Sequence, residues 1–294
     1  MLNVAAGAAS LSGEQARAIH EACNRTAKAD DVDWLAPDRS FDIALEGEPD
    51  AVRAALREAV RDEWLLDLNL VPAANRRKKL LIADMDSTIV GCECIDELAD
   101  FAGLKPKVAA ITERAMRGEL DFPSALRERV KLLKGLPLDA MAKVHAERVR
   151  LNPGARALTA TMRAHGGYAV LVSGGFTYFT KRVAADAGFD SHQGNRLIDD
   201  GRALTGRVDE PILGREAKLE ALERNVERLG WSVNDVLAVG DGANDLDMIR
   251  RAGLGVAYHA KPVVAEAAGA SIVHGDLTGL LYLQGYREEE LVLK

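Results

Sequence analysis

The sequence predicts an α/β protein, a doubly wound parallel sheet preceded by a small α+β unit. Two observations carry that prediction. From Lys79 onward, short runs that are apolar throughout alternate with helical segments, as expected of strands covered by helices on both faces. Ahead of them, the first seventy or so residues read as β-α-β-β-α-β. A chain of 294 residues is long enough for one large α/β domain with smaller ones attached.

In the first unit, "LNVAA" is predicted as a strand and "SGEQARAIHEACNR" as a helix capped by Ser12. "VDWLA" and "SFDIALEG" are predicted as strands across the turn "PDRS", "EPDAVRAALREAVRD" as a helix and "LLDLNLV" as a strand. This order resembles a ferredoxin-like or ACT-type module over residues 1–74. "VPAANRRKK" then reads as a linker with a basic end. The main domain, residues 75–294, contains the strands "LLIAD", "YAVLVS", "DVLAVGD", "LGVAY" and "ASIV". The helices "ARALTATMRAH", "TYFTKRVAADAG" and "REAKLEALERNVERLG" lie between them. The gap between the first two strands is too long for a structureless loop. It reads as four helices, stopped by Gly103, Gly118 and Gly135, forming an insertion at about 92–152 over the carboxyl ends of the strands. "NRLIDDGRALTGRV" reads as a hairpin turning at "DDG".

Composition excludes several classes. Hydrophobic residues make up 48% and charged residues 28%, the balance of a globular protein with a core. A net charge of −7 and a pI of about 5.5 argue against nucleic-acid or anionic-membrane partners, so an anionic ligand needs a local device to hold it. Three cysteines, Cys23, Cys92 and Cys94, form no disulfide framework and point to a reducing compartment, hence the cytoplasm. The N-terminal "MLNVAAGAAS" lacks the basic start and long apolar run of a signal peptide. No stretch reaches the roughly 18 apolar residues of a membrane span. A homodimer is compatible with the sequence, which does not decide oligomeric state.

Each strand of the predicted sheet ends in reactive groups. The first ends in Asp84 and Asp86, and the second in "SGG", Ser173 and Gly174 included. Lys218 lies on the helix leading into the third, with Arg215 and Lys181 as competing cations. The third ends in "GDGANDLD", which contains Asp241, Asn244 and Asp245. A parallel sheet gathers these groups at one edge. Carboxylates without nitrogen or sulfur partners suit a hard cation, Mg²⁺ above all. A hydroxyl, open backbone N–H groups and an ammonium suit a phosphate. Together they describe metal-assisted phosphoryl transfer, in which one carboxylate attacks phosphorus and a second handles the proton.

The stretches "DMDST", "VSGGF", "GDGANDLDM" and the upstream lysine resemble the motifs of the haloacid dehalogenase superfamily of phosphatases. "DMDSTIVGCE", "RERVKLLKGLP", "NRL…LTG" and "VGDGANDLDMI" are similar to the branch that hydrolyses phosphoserine. Carried over by position, the resemblance implies Asp84 as nucleophile and Asp86 as general acid/base. It implies a Mg²⁺ held by Asp84, the backbone carbonyl of Asp86, and Asp241, and a phosphate held by Ser173, Gly174 and Lys218. Asn244 and Asp245 would support both. Glu93 would take a substrate ammonium and Arg129 a substrate carboxylate, with Met116 and Phe122 on the cap side. Two rivals remain open, a related enzyme for another small phosphate monoester and a serine-binding regulatory protein with an inactive phosphatase fold.

Overall fold

A computed structural model describes residues 1–7 and 10–293. In the N-terminal unit, β1 (Leu2–Ala6) and α1 (Gly13–Asn24) are followed by β2 (Asp33–Ala36), β3 (Ser40–Ile43), α2 (Pro49–Ala59) and β4 (Leu66–Leu70). The antiparallel sheet has the order β2-β3-β1-β4, the ferredoxin-like arrangement expected of this element order. Ser12 caps α1 as the sequence predicts: its hydroxyl accepts from the Gln15 N–H at 3.2 Å, and the Gln15 side chain accepts from the Ser12 N–H at 2.8 Å. The apolar faces of both helices cover one side of the sheet, around Val4, Ile19, Phe41 and Leu56.

The presumed linker is anchored at its basic end. Arg76 pairs with Asp42 of β3, Nη2 to Oδ1 at 2.8 Å, and its Nε donates to the Leu283 carbonyl at 2.8 Å. Lys78, buried, donates to the carbonyls of Asn75 and Asn234. The basic residues that read as a soluble tether therefore pin the first unit to the second.

The second unit begins with β5 (Leu80–Ala83), every residue of which is buried. Four helices follow: α3 (Cys94–Phe101), α4 (Lys105–Met116), α5 (Phe122–Leu132) and α6 (Leu138–Arg148). Gly103, Gly118 and Gly135 stand at the breaks between them with φ of 68°, 77° and 83°, a conformation that favours glycine. The chain re-enters the layers through α7 (Ala155–Ala164), β6 (Tyr168–Phe176), α8 (Thr177–Ala187) and β7 (Ser191–Asn195). The hairpin β8 (Leu197–Asp199) and β9 (Leu204–Val208) lies against the cap through bonds such as Gly135 N–H to the Leu204 carbonyl at 2.8 Å. The last elements are α9 (Arg215–Leu229), β10 (Val236–Gly240), α10 (Leu246–Arg251), β11 (Leu254–Tyr258), α11 (Pro262–Ala267), β12 (Ala270–Ile272) and α12 (Gly279–Leu283).

The six strands are all parallel, in the order β12-β11-β10-β5-β6-β7. β5 lies at the centre between β10 and β6, which brings the ends of the three motif-bearing strands side by side. The strand β7, "SHQGN", escapes sequence reading because it has no apolar residue; it holds an edge through its backbone and the polar bonds of its side chains. The two sheets meet through side chains. Asn69 of β4 exchanges bonds with the Ser271 backbone at 2.8 and 2.9 Å, and Asp67 accepts from the N–H groups of Val273, His274 and Gly275. A cleft of about 790 Å³ between the units is lined by Asp38, Arg39, Asn152, His259, His274 and Asp276; Asp84, Asp86, Lys218 and Asp241 do not line it.

Candidate active site

The apolar strand β5 stops at Ala83, and the backbone turns at once. The N–H of Asp84 still donates to the Val239 carbonyl at 3.0 Å, while those of Ile89 and Val90 fold back to the Met85 carbonyl at 2.9 and 3.0 Å. Ser87 sits inside the turn at a φ of 58°. The turn points the two aspartates at different partners. Asp84, 5% exposed, faces Lys218, whose Nζ lies 2.6 Å from Asp84 Oδ1 and 2.5 Å from Asp245 Oδ1. The Asp86 carboxylate accepts from the Cys94 N–H at 3.0 Å and from the Ser173 hydroxyl at 3.3 Å.

Lys218 itself is 1% exposed. Burial alone would pull its pKa down, but the carboxylates of Asp84 and Asp245 outweigh burial and hold the ammonium charged. The rival cations are placed elsewhere: Arg215 forms a two-pronged pair with Asp247, at 2.5 and 2.6 Å, and Lys181 is exposed. Burial pushes Asp84 up, with Lys218 opposing. Burial, then the charge of Glu93, pushes the Asp86 carboxyl up to about 6, against the bonds from Cys94 and Ser173. Burial and the neighbouring Asp245 likewise raise Asp241 to about 6.

One oxygen each from Asp84, Asp241 and Asp245 lie within 4.8 Å of one another. This all-oxygen set fits a hard divalent cation, and the crowding of three carboxylates around a single ammonium leaves negative charge for a cation to neutralise. Asp245, expected to support the metal region, joins Asp84 and Asp241 in this cluster; Asp86, expected there through its backbone carbonyl, directs its side chain at Cys94 and Ser173. The Thr88 hydroxyl donates to Asp241 at 3.3 Å.

The glycines of β6 are there for space. A Cβ on Gly175 would come within 2.8 Å of Asp86 Oδ2 and 3.0 Å of Ser173 Oγ, and one on Gly174 within 2.9 Å of the Phe122 ring. Ser173 is 3% exposed, and its Oγ accepts from the Gly175 N–H at 2.8 Å. Phe122, at the start of α5, therefore rests on the Ser173–Gly174 segment. Glu93 precedes α3 and accepts from the Ser87 hydroxyl at 2.8 Å. Arg129, half-buried on α5, loses basicity to burial, and the carboxylates of Asp96, Glu93 and Asp86 lie near enough to oppose that loss. Asn244 is exposed on the turn between Asp241 and Asp245. Met116, 72% exposed at the end of α4, has no described contact that draws it toward the cluster.

Fold and site together define a capped, doubly wound α/β enzyme with an oxygen-rich acidic centre at the carboxyl edge of its sheet. The family model for haloacid dehalogenase-like hydrolases matches residues 81–250, and the chain belongs to that family. It is 44% identical over 238 residues to a phosphoserine phosphatase of Archaeoglobus fulgidus, covering 80% of this chain and 69% of that one. Its fold is similar to that of a probable phosphoserine phosphatase from Vibrio cholerae, with a TM-score of 0.79, 31% identity and coverage of 98% and 87%. It is also similar to a phosphoserine phosphatase solved as a phospho-aspartyl intermediate analogue, with a TM-score of 0.64, 41% identity and coverage of 70% and 98%. Among the described residues no helix is long and apolar enough to cross a membrane.

Proposed function

We propose that the protein is a Mg²⁺-dependent phosphatase that hydrolyses O-phospho-L-serine to L-serine and phosphate, the closing step of serine biosynthesis, in the cytoplasm. The observation that carries this reading is the placement of Asp84 against the buried ammonium of Lys218, with Asp86, two residues on, bonded to the Ser173 hydroxyl at the edge of β6. The names of its relatives support the substrate. The division into residues 1–74 and 75–294, with a cap at about 92–152, belongs to the same reading.

In this mechanism the Asp84 carboxylate attacks phosphorus and forms an aspartyl phosphate. Asp86, as the acid, passes a proton to the serine alkoxide that leaves. As the resulting base, it then takes a proton from the water that attacks the phosphoenzyme, which frees phosphate and restores Asp84. Ser173, Gly174 and Lys218 hold the phosphate oxygens. Asp84, Asp241 and the Asp86 carbonyl, with Asp245 and Asn244 in support, would hold Mg²⁺, which when bound offsets the repulsion between a carboxylate and a phosphate ester. Arg129 and Glu93 would grip the carboxylate and ammonium of the amino acid, and Phe122 and Met116 would shield it. The test is phosphate release from phosphoserine by the purified chain. Turnover is expected with Mg²⁺ and its loss with a chelator; absence of turnover under both conditions refutes the reading.

A further inference from the structure

One sequence motif has no part in the mechanism above: the "NRL" that opens the hairpin, beginning at Asn195. Asn195 is the last residue of β7 and is 2% exposed. Its amide donates to the Gly174 carbonyl at 2.8 Å and to the Leu213 carbonyl at 3.1 Å, and its Oδ1 accepts from the Leu213 N–H at 2.7 Å. All three bonds cross to other segments. The bond to Gly174 stands in for a ladder that has been interrupted, because the β6–β7 register shifts between Val172 and Phe176, across residues 173–175.

The consequence for the site is specific. The peptide between Gly174 and Gly175 is held at both ends, its carbonyl by Asn195 and its N–H by Ser173 Oγ at 2.8 Å. On its other side Asn195 holds Leu213, just ahead of α9, the helix that carries Lys218. The same segment receives the cap: Arg127 of α5 reaches Glu210 at 2.8 and 3.0 Å, and the Phe122 ring lies over Gly174 and Gly214. Only an amide side chain supplies two donors and an acceptor at this spot. A carboxylate would keep the bond from Leu213 and turn charge against two carbonyls.

We propose that Asn195 is a positioning residue of the reaction: it orients the segment that holds the phosphate and ties it to the strip on which the cap lands. The proposal rests on the phosphatase reading. The test compares full-length wild type with Asn195→Asp and Asn195→Ser. It uses phosphoserine and p-nitrophenyl phosphate as substrates, inorganic phosphate as inhibitor, and thermal melting. Loss of buried bonds of this kind predicts a drop in kcat/KM of about 10- to 100-fold for Asn195→Asp, with a matching rise in the inhibition constant of phosphate. The drop must be equal on the two substrates, since the clamp acts on the phosphate end, and Asn195→Ser, with one donor left, should fall between. Wild-type kinetics and phosphate affinity in a folded variant would overturn the proposal, as would a lowered melting temperature with both unchanged. If Asn195→Asp does not fold, Asn195→Ser decides on the same readouts. A wild type inert toward phosphoserine yet active on p-nitrophenyl phosphate would refute the substrate assignment, and the clamp would still be judged on the second substrate.

Discussion

The floor and the roof of the site are built by opposite rules. On the floor, Asp84, Lys218 and Asp245 are 5%, 1% and 0% exposed and are joined by charged bonds of 2.5 and 2.6 Å. On the roof, Phe122 is 39% and Met116 72% exposed, Glu93 is exposed and Arg129 half-buried. A buried ion network holds only if its partners are all in place, because an uncompensated charge there is costly. It is therefore rigid, which suits bond making. The cap helices are seated by apolar residues such as Leu126 and Val130, and exposed pairs such as Arg127 and Glu210 add little energy each, which leaves the solvent-facing rim less constrained than the floor. That suits admission and release of a small substrate.

The comparison can be broken most sharply on the floor. Asp84→Asn removes the proposed nucleophile while keeping its shape, so turnover should fall by about 10⁴-fold or more, with the fold intact by circular dichroism. Beryllium fluoride, a phosphate mimic, should form its adduct on Asp84 in the wild type and none in the variant. Activity near wild type would end the mechanism. Asp86→Asn should cost about 10²–10⁴-fold on phosphoserine, the usual worth of a general acid. The loss should shrink on an aryl phosphate, whose leaving group needs no proton; equal losses on both would remove Asp86 from the acid role.

On the roof the expected effects are smaller and depend on the substrate. Arg129→Ala should weaken kcat/KM for phosphoserine by about 2–3 kcal/mol, a charged hydrogen bond's worth. Phosphoethanolamine, which lacks the carboxylate, should hardly change, and the response to Mg²⁺ should stay. Equal drops on both would make Arg129 a support of the cap, and no drop would make it a surface arginine. Met116→Ala is the mildest case: an exposed side chain without a described partner should shift kcat/KM less than about threefold and stability by under about 0.5 kcal/mol. A larger kinetic effect would show that the cap closes further, bringing Met116 onto the substrate.

Much of this was legible before any coordinates. The apolar run "LLIAD" could only be a buried strand, its two aspartates had to emerge at its end, and the three glycines marked the breaks between the cap helices because backbone demands of this kind are local. Local signals also specified the capping box at Ser12 and the order of the first unit. What neighbours decide stayed hidden. Periodicity could not choose Lys218 over Arg215 and Lys181, since all three lie on helices rich in polar residues and only the packing of α9 against β5 and α10 buries one of them between two carboxylates. The directions of the aspartates were left open as well: the turn that follows Ala83 sends the Asp86 side chain to Cys94 and Ser173, while Asp84, Asp241 and Asp245 share one acidic cluster. The basic linker proved to be a clamp on Asp42, and the polar "SHQGN" proved to be an edge strand ending in Asn195. Sequence alone named the residues that the proposed chemistry uses and the strands and helices that present them, because those follow from short-range pattern. Partner, burial and direction were left to the tertiary structure, because a hydrogen bond or an ion pair between segments far apart in the chain exists only once the sheet has brought them together.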